Sequence, residues 1–232
     1  MTTALILTLF TFGFMVYYFS STSAVLQALA ARLAAAGSTG VSQQEALVYA
    51  EKAVGFVTLG LIPALVSVFL PGGLRAAGLR LPAGPNAFWW SLLPVLFFAA
   101  LVRVRPRHRV NTAFYPQVRQ NRWDRRRVMR NSFFWCLYLL GYEFSFRGFL
   151  FFPLLQSMGL AAAIALNCAL YALAHLYKGA GEAFGAFFLG IILCVIAWAT
   201  GSFVIPLIVH IILALSNDYA AVAAHPEMSF VS

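Results

Sequence analysis

Charge is what this 232-residue sequence has least of: Asp, Glu, Lys and Arg together make up only 10% of it. A soluble domain carries about 25%, so this chain cannot cover a water-facing surface. Acidic residues are scarcer still, seven Asp+Glu against sixteen Lys+Arg. Cysteine is nearly absent. Cys136, Cys168 and Cys194 lie in apolar runs without CxxC spacing. That excludes a disulfide-stapled miniprotein and leaves them as small buried hydrophobes. Internal repeats, low-complexity tracts and a second domain are also missing, and the composition excludes disorder and a collagen-like fibre. What the chain has is apolar: 62% hydrophobic and 16% aromatic residues, with a mean hydropathy of +0.82. The class is an integral membrane protein.

A helix needs about 20 mostly apolar residues to cross the hydrocarbon core. Seven stretches qualify as candidate spans: 4–20, 54–70, 87–102, 131–156, 160–176, 183–200 and 203–222. The first lacks the positive flank of a signal peptide and reads as a retained span. Residues 24–36 are Ala/Leu-rich and helical, either at the interface or as a partial eighth span. The expected fold is all-α, a polytopic transmembrane bundle of about seven to eight helices. Its parts are three N-terminal spans (1–102), a basic loop (103–130), a four-helix core (131–222) and a short tail (223–232).

Ten of the sixteen cations fall in that loop: Arg103, Arg105, Arg107, Arg109, Arg119, Arg122, Arg125, Arg126, Arg127 and Arg130. They account for most of the net charge of +9. No nucleic-acid module accompanies them, so no nucleic-acid partner is expected. The positive-inside rule assigns the loop to the cytoplasm, with the N-terminus outside and the C-terminus inside for seven spans. Anionic lipid headgroups are its natural partners.

A charge at bilayer depth is costly and marks function. Four candidate groups stand there: Glu143, Arg147, His175 and His210. Glu143 and Arg147 are spaced i, i+4, on one face of a helix and oriented for an ion pair. By itself that pair could simply lock helices together. A lone histidine could likewise be a satisfied packing residue. A carboxylate and two imidazoles on three helices can also converge. Such a set can activate water and stabilise an oxyanion, or hold zinc through Glu143, His175 and His210 with one position open. Spacing does not choose between these.

The order Glu-x-x-x-Arg-Gly, then aromatic-x-x-x-His, then a His two spans later resembles the CPBP family, that of CAAX prenyl protease 2 and the Abi-type membrane proteins. The stretches His175-Leu176-Tyr177-Lys178-Gly179 and Thr200-Gly201-Ser202-Phe203-Val204-Ile205-Pro206 are similar to its core as well. The resemblance covers about 131–218. It implies an intramembrane endopeptidase acting on lipid-modified or membrane-embedded protein chains, in a bacterial inner membrane, without a cofactor. In the family pattern the first of two adjacent glutamates and the second motif's His activate water. The third motif's His and an Asn four residues later hold the oxyanion. By position, the second glutamate corresponds to Glu143, the arginine to Arg147, the water-activating His to His175 and the oxyanion His to His210. Tyr142 stands in place of the first glutamate and Ala214 in place of the Asn.

Two readings follow. In the first, Glu143 and His175 polarise water, His210 donates to the oxyanion and Arg147 keeps Glu143 ionised. In the second, the chain is an inactive relative, a membrane subunit that holds a partner protein or a lipidated chain. A transporter ranks last, since no polar stripe runs through several spans.

Overall fold

The computed structural model of the chain describes residues 2–20, 22–36, 40–104 and 110–231. In lipid every backbone polar group needs an internal partner, and helices supply one residue by residue. The described residues accordingly form α-helices joined by short turns, with only two strands of two residues each. Five helical stretches are long and apolar enough to cross a membrane: Thr3–Ser20, Gln43–Val68, Ala87–Val104, Ala180–Thr200 and Val204–Ala224. The protein is an all-α integral membrane protein. Arg105, Arg107 and Arg109 of the basic stretch lie outside the described residues.

Helices α1 (Thr2–Ser20) and α2 (Ala24–Ala35) come first. Next, α3 (Gln43–Phe56) runs through a π-helical turn, Val57–Leu61, into α4 (Ile62–Val68). The single turn α5 (Gly73–Ala76) leads to α6 (Ala87–Val104). Helix α7 (Arg125–Glu143) passes through a second π-turn, Phe144–Leu150, into α8 (Phe151–Met158). Gly159, at φ 79°, makes the reversal into α9 (Leu160–Leu173), a conformation that other residues adopt only with strain. A 3₁₀ turn, Leu176–Lys178, precedes α10 (Ala180–Thr200) and α11 (Val204–Ala224).

Two helices start earlier than hydropathy suggests, and in both cases a cap explains it. Ser42 and Glu45 form a reciprocal capping box that opens α3 well before residue 54. Asp124 accepts from the Arg127 backbone N–H at 2.7 Å and opens α7 inside the basic stretch. The charges that break the apolar pattern of α3 are matched from across the fold. Arg127 Nε donates to buried Glu45 at 2.7 Å, and Lys52 Nζ donates to Gln117 Oε1 at 2.5 Å.

Contacts set the direction of each passage. Thr3, Leu70 and Gln156 meet around one cavity, so the start of α1 and the segments following α4 and closing α8 share an end. Ala83 N–H donates to the Thr200 carbonyl at 2.9 Å, which puts the entry to α6 there too. At the opposite end Gln44 donates to the Gln117 carbonyl at 2.7 Å and Asn111 to the Lys178 carbonyl at 3.1 Å. The tail closes that end, as β1 (Arg122–Trp123) pairs in parallel with β2 (Ser229–Phe230). α1, α3–α4, α6, α7–α8, α9, α10 and α11 thus alternate in direction, with α2 packed beside α3.

The core centres on the second π-turn, whose seven residues are all buried. It can sit at the centre because glycines let backbones touch: a Cβ on Gly60 would lie 2.7 Å from the Gly141 Cα. Outside, Phe12, Phe69, Phe88, Phe184 and Phe188 are exposed. So much exposed aromatic surface suits a hydrocarbon solvent and not water.

Candidate active site

The sequence motif around Glu143 sits where α7 becomes a π-turn. A π-turn replaces i→i+4 bonds by i→i+5, and it alters which residues share a face. Glu143 is the last α-helical residue and Arg147 lies within the turn. Asn167 of α9 supports the turn by donating to the Phe146 carbonyl at 2.7 Å, while its own Oδ1 accepts from Cys194 Sγ at 3.2 Å. Arg147 and Glu143 form the expected ion pair, Nη1 to Oε1 at 3.1 Å, with both side chains fully buried. The guanidinium also lies 4.1 Å from the Tyr171 ring centre, a cation–π contact strengthened by exclusion of water.

The same carboxylate oxygen meets His210 Nδ1 at 2.5 Å. Glu143 is therefore joined to His210, in place of the expected pairing with His175. A carboxylate only accepts, so His210 Nδ1 carries a proton. His175 lies two residues past the end of α9, and its Nδ1 is 2.9 Å from the Tyr171 carbonyl. A carbonyl also only accepts, so this Nδ1 is protonated too. In a neutral imidazole protonated at Nδ1, Nε2 is the acceptor.

Both rings border a cavity of about 580 Å³. Its wall is aromatic, with Tyr17, Trp135, Tyr138, Tyr142 and Tyr171, and Asn111, Tyr115 and Lys178 line it as well. Two tyrosine rings lie near both histidines: Tyr142, its centre 5.7 Å from His210 and 6.4 Å from His175, and Tyr171, 6.1 and 4.6 Å from them. Glu143 is behind that wall and does not border the cavity. Lys178 Nζ donates to Tyr115 Oη at 3.2 Å. Burial pushes the Lys178 ammonium down to about 8, against the pull of Glu182.

The two groups near the missing Asn are put to different uses. Asn217 borders the cavity, as does Ala214. Asp218 turns away and is buried, accepting from Asn131 Nδ2 at 2.7 Å and the Gln117 N–H at 3.3 Å. Among the described residues no three His, Cys, Asp or Glu side chains are grouped so as to hold a metal ion. Glu143 already faces Arg147 and His210, and the Nδ1 of His175, past the end of α9, is engaged with the Tyr171 carbonyl. Cys136 is partly exposed, and Cys168 and Cys194 are buried, all three unbridged.

Asn167 and Lys52 escaped the sequence reading. An Asn within an apolar helix is itself a signal, since a polar group at that depth needs a partner. Lys52 was hidden by the late start assigned to its helix.

Residues 114–216 match the family model of the type II CAAX prenyl endopeptidase Rce1-like proteins. No curated protein and no solved structure matches the chain. The matched segment carries Glu143, Arg147, His175 and His210, in agreement with the CPBP resemblance. Over that segment, somewhat under half of its length, the chain is similar to the Rce1-like family, and its apolar helices make it a CAAX-protease-like integral membrane protein.

Proposed function

We propose that the protein is an intramembrane endopeptidase that hydrolyses a peptide bond in a lipid-modified or membrane-embedded chain, with residues 131–222 as its catalytic core. The observation that carries this reading is the 2.5 Å contact between Glu143 and His210 at the cavity wall. A carboxylate on Nδ1 orients the imidazole and stabilises the imidazolium that forms when Nε2 takes a proton. His210 is then the general base and Glu143, held by Arg147, is its positioning residue. His175 Nε2 accepts the second hydrogen of the same water and aims it.

The water oxygen bonds to the scissile carbonyl carbon while its proton passes to His210 Nε2. Collapse of the tetrahedral intermediate breaks the C–N bond, and His210 returns the proton to the leaving amine. The products are a carboxylate and an amine, and no other reactant is needed. The aromatic wall suits an apolar or lipidated chain. Lys178, still largely cationic at pH 7, suits a carboxylate terminus. In this reading the loop 103–130 faces the cytoplasm of a bacterial inner membrane, and the substrate enters from that side.

The test uses the full-length protein in detergent with a fluorogenic farnesyl-cysteine peptide carrying a three-residue C-terminal extension. Wild type is expected to cleave it, with His210→Ala and His175→Ala each losing at least about 10²-fold in kcat/KM, in the range of general-base catalysis. Equal rates in all three proteins, or none, would overturn the reading.

A further inference from the structure

The mechanism leaves one need unmet. In the proposed hydrolysis both imidazole Nε2 atoms are engaged with the attacking water, so neither is free to donate to the negative oxygen that develops on the scissile carbonyl. Ala214, at the position of the family's Asn, has no donor to offer.

The geometry points to Tyr142 as the missing donor: its phenol O–H hydrogen-bonds the tetrahedral oxyanion. This rests on the proposed hydrolysis at His210. Three observations support it. The ring borders the cavity, its centre 5.7 Å from the His210 ring and 6.4 Å from the His175 ring. Tyr142 is 3% exposed, and its Oη has no hydrogen-bond partner. A buried hydroxyl without a partner is unfavourable, and an arriving oxyanion removes that cost. The phenol's ordinary value near 10 also keeps it protonated at neutral pH, as a donor must be and a glutamate in its place would not be.

Tyr171 is the nearest rival, since it too borders the cavity, is buried, and has an Oη without a hydrogen-bond partner. Its ring, however, lies under the Arg147 guanidinium at 4.1 Å and is held there by that cation. Both departures from the family pattern then have one explanation. The carboxylate that is absent at 142 is replaced in the base by Glu143 acting through His210, and the amide absent at 214 is replaced by a phenol. In the step itself Tyr142 keeps its proton. It strengthens one hydrogen bond as charge builds on the carbonyl oxygen, and the bond relaxes when the C–N bond breaks.

The experiment adds Tyr142→Phe to the farnesyl-peptide assay, with thermal melting in detergent to establish that the variant is folded. Loss of one oxyanion donor typically lowers kcat by about 10²–10³. Tyr142→Phe is expected to lose at least about 10²-fold in kcat with KM within about twofold of wild type. A merely structural ring would leave kcat unchanged or move KM and melting together. If His210→Ala is inactive and Tyr142→Phe cleaves like wild type, the phenol's role is refuted while the hydrolytic reading stands. If wild type itself does not cleave, both fall. As a second variant, 3-fluorotyrosine at 142 keeps the packing and sharpens the donor. It is expected to retain cleavage, and loss of cleavage with unchanged melting would count against the proposal.

Discussion

Glu143 is a carboxylate in a fully buried site with one oxygen shared between a guanidinium and an imidazole. Removing one partner of such a pair leaves the other charged and unsolvated, at a cost of about 3–5 kcal/mol. Replacing both by apolar or neutral groups of similar size removes most of that cost. Glu143→Gln and Arg147→Met are therefore each expected to lower the melting temperature sharply in detergent. The double variant should melt higher than either single one. Additive losses in the double variant would show that the pair is not the stabilising unit. The same logic explains why the catalytic test uses the histidines and not Glu143: a stability loss and a catalytic loss would be inseparable there.

At the level of elements, the two π-turns are the feature that shapes the centre of the fold. They pack where Gly60 and Gly141 allow backbones to meet, and the second of them carries Arg147 toward Glu143. A methyl at Gly60 would meet the Gly141 Cα at 2.7 Å, closer than real Cβ contacts. Gly60→Ala is expected to cost about 1–3 kcal/mol through overpacking. Gly185 lies in α10, and a Cβ there meets nothing within 4 Å. Gly185→Ala should instead gain about 0.5–1 kcal/mol from helix propensity. Melting curves of the two variants in the same detergent test the contrast, and a neutral Gly60→Ala would refute the close-crossing account.

For the whole molecule, one end of the bundle gathers the basic loop, the turn after His175, the capping box of α3 and the paired tail. The cavity lining reaches this end through Asn111, Tyr115 and Lys178. In the proposed orientation that end is cytoplasmic. Arg126 is exposed near the start of α7. A protein with Arg126→Cys and its native cysteines replaced is expected to react with a membrane-impermeant maleimide in inverted vesicles and not in intact cells. Labelling from outside would reverse the orientation and with it the side of substrate entry.

The sequence alone determined the membrane class, the all-α fold, the approximate helix spans and the four polar groups, because hydropathy and buried charge are properties of composition and spacing. It also showed that Tyr142 and Ala214 break the family pattern. Which imidazole meets Glu143 was beyond it. That depended on a π-turn held by Asn167, on the glycine contact between Gly60 and Gly141, and on the carbonyl of Tyr171 that turns His175 aside. Each of these joins residues far apart in the chain. Local periodicity carries no record of such contacts, so only the packed tertiary structure could decide that Glu143 belongs to His210 and that Tyr142 packs near both histidines.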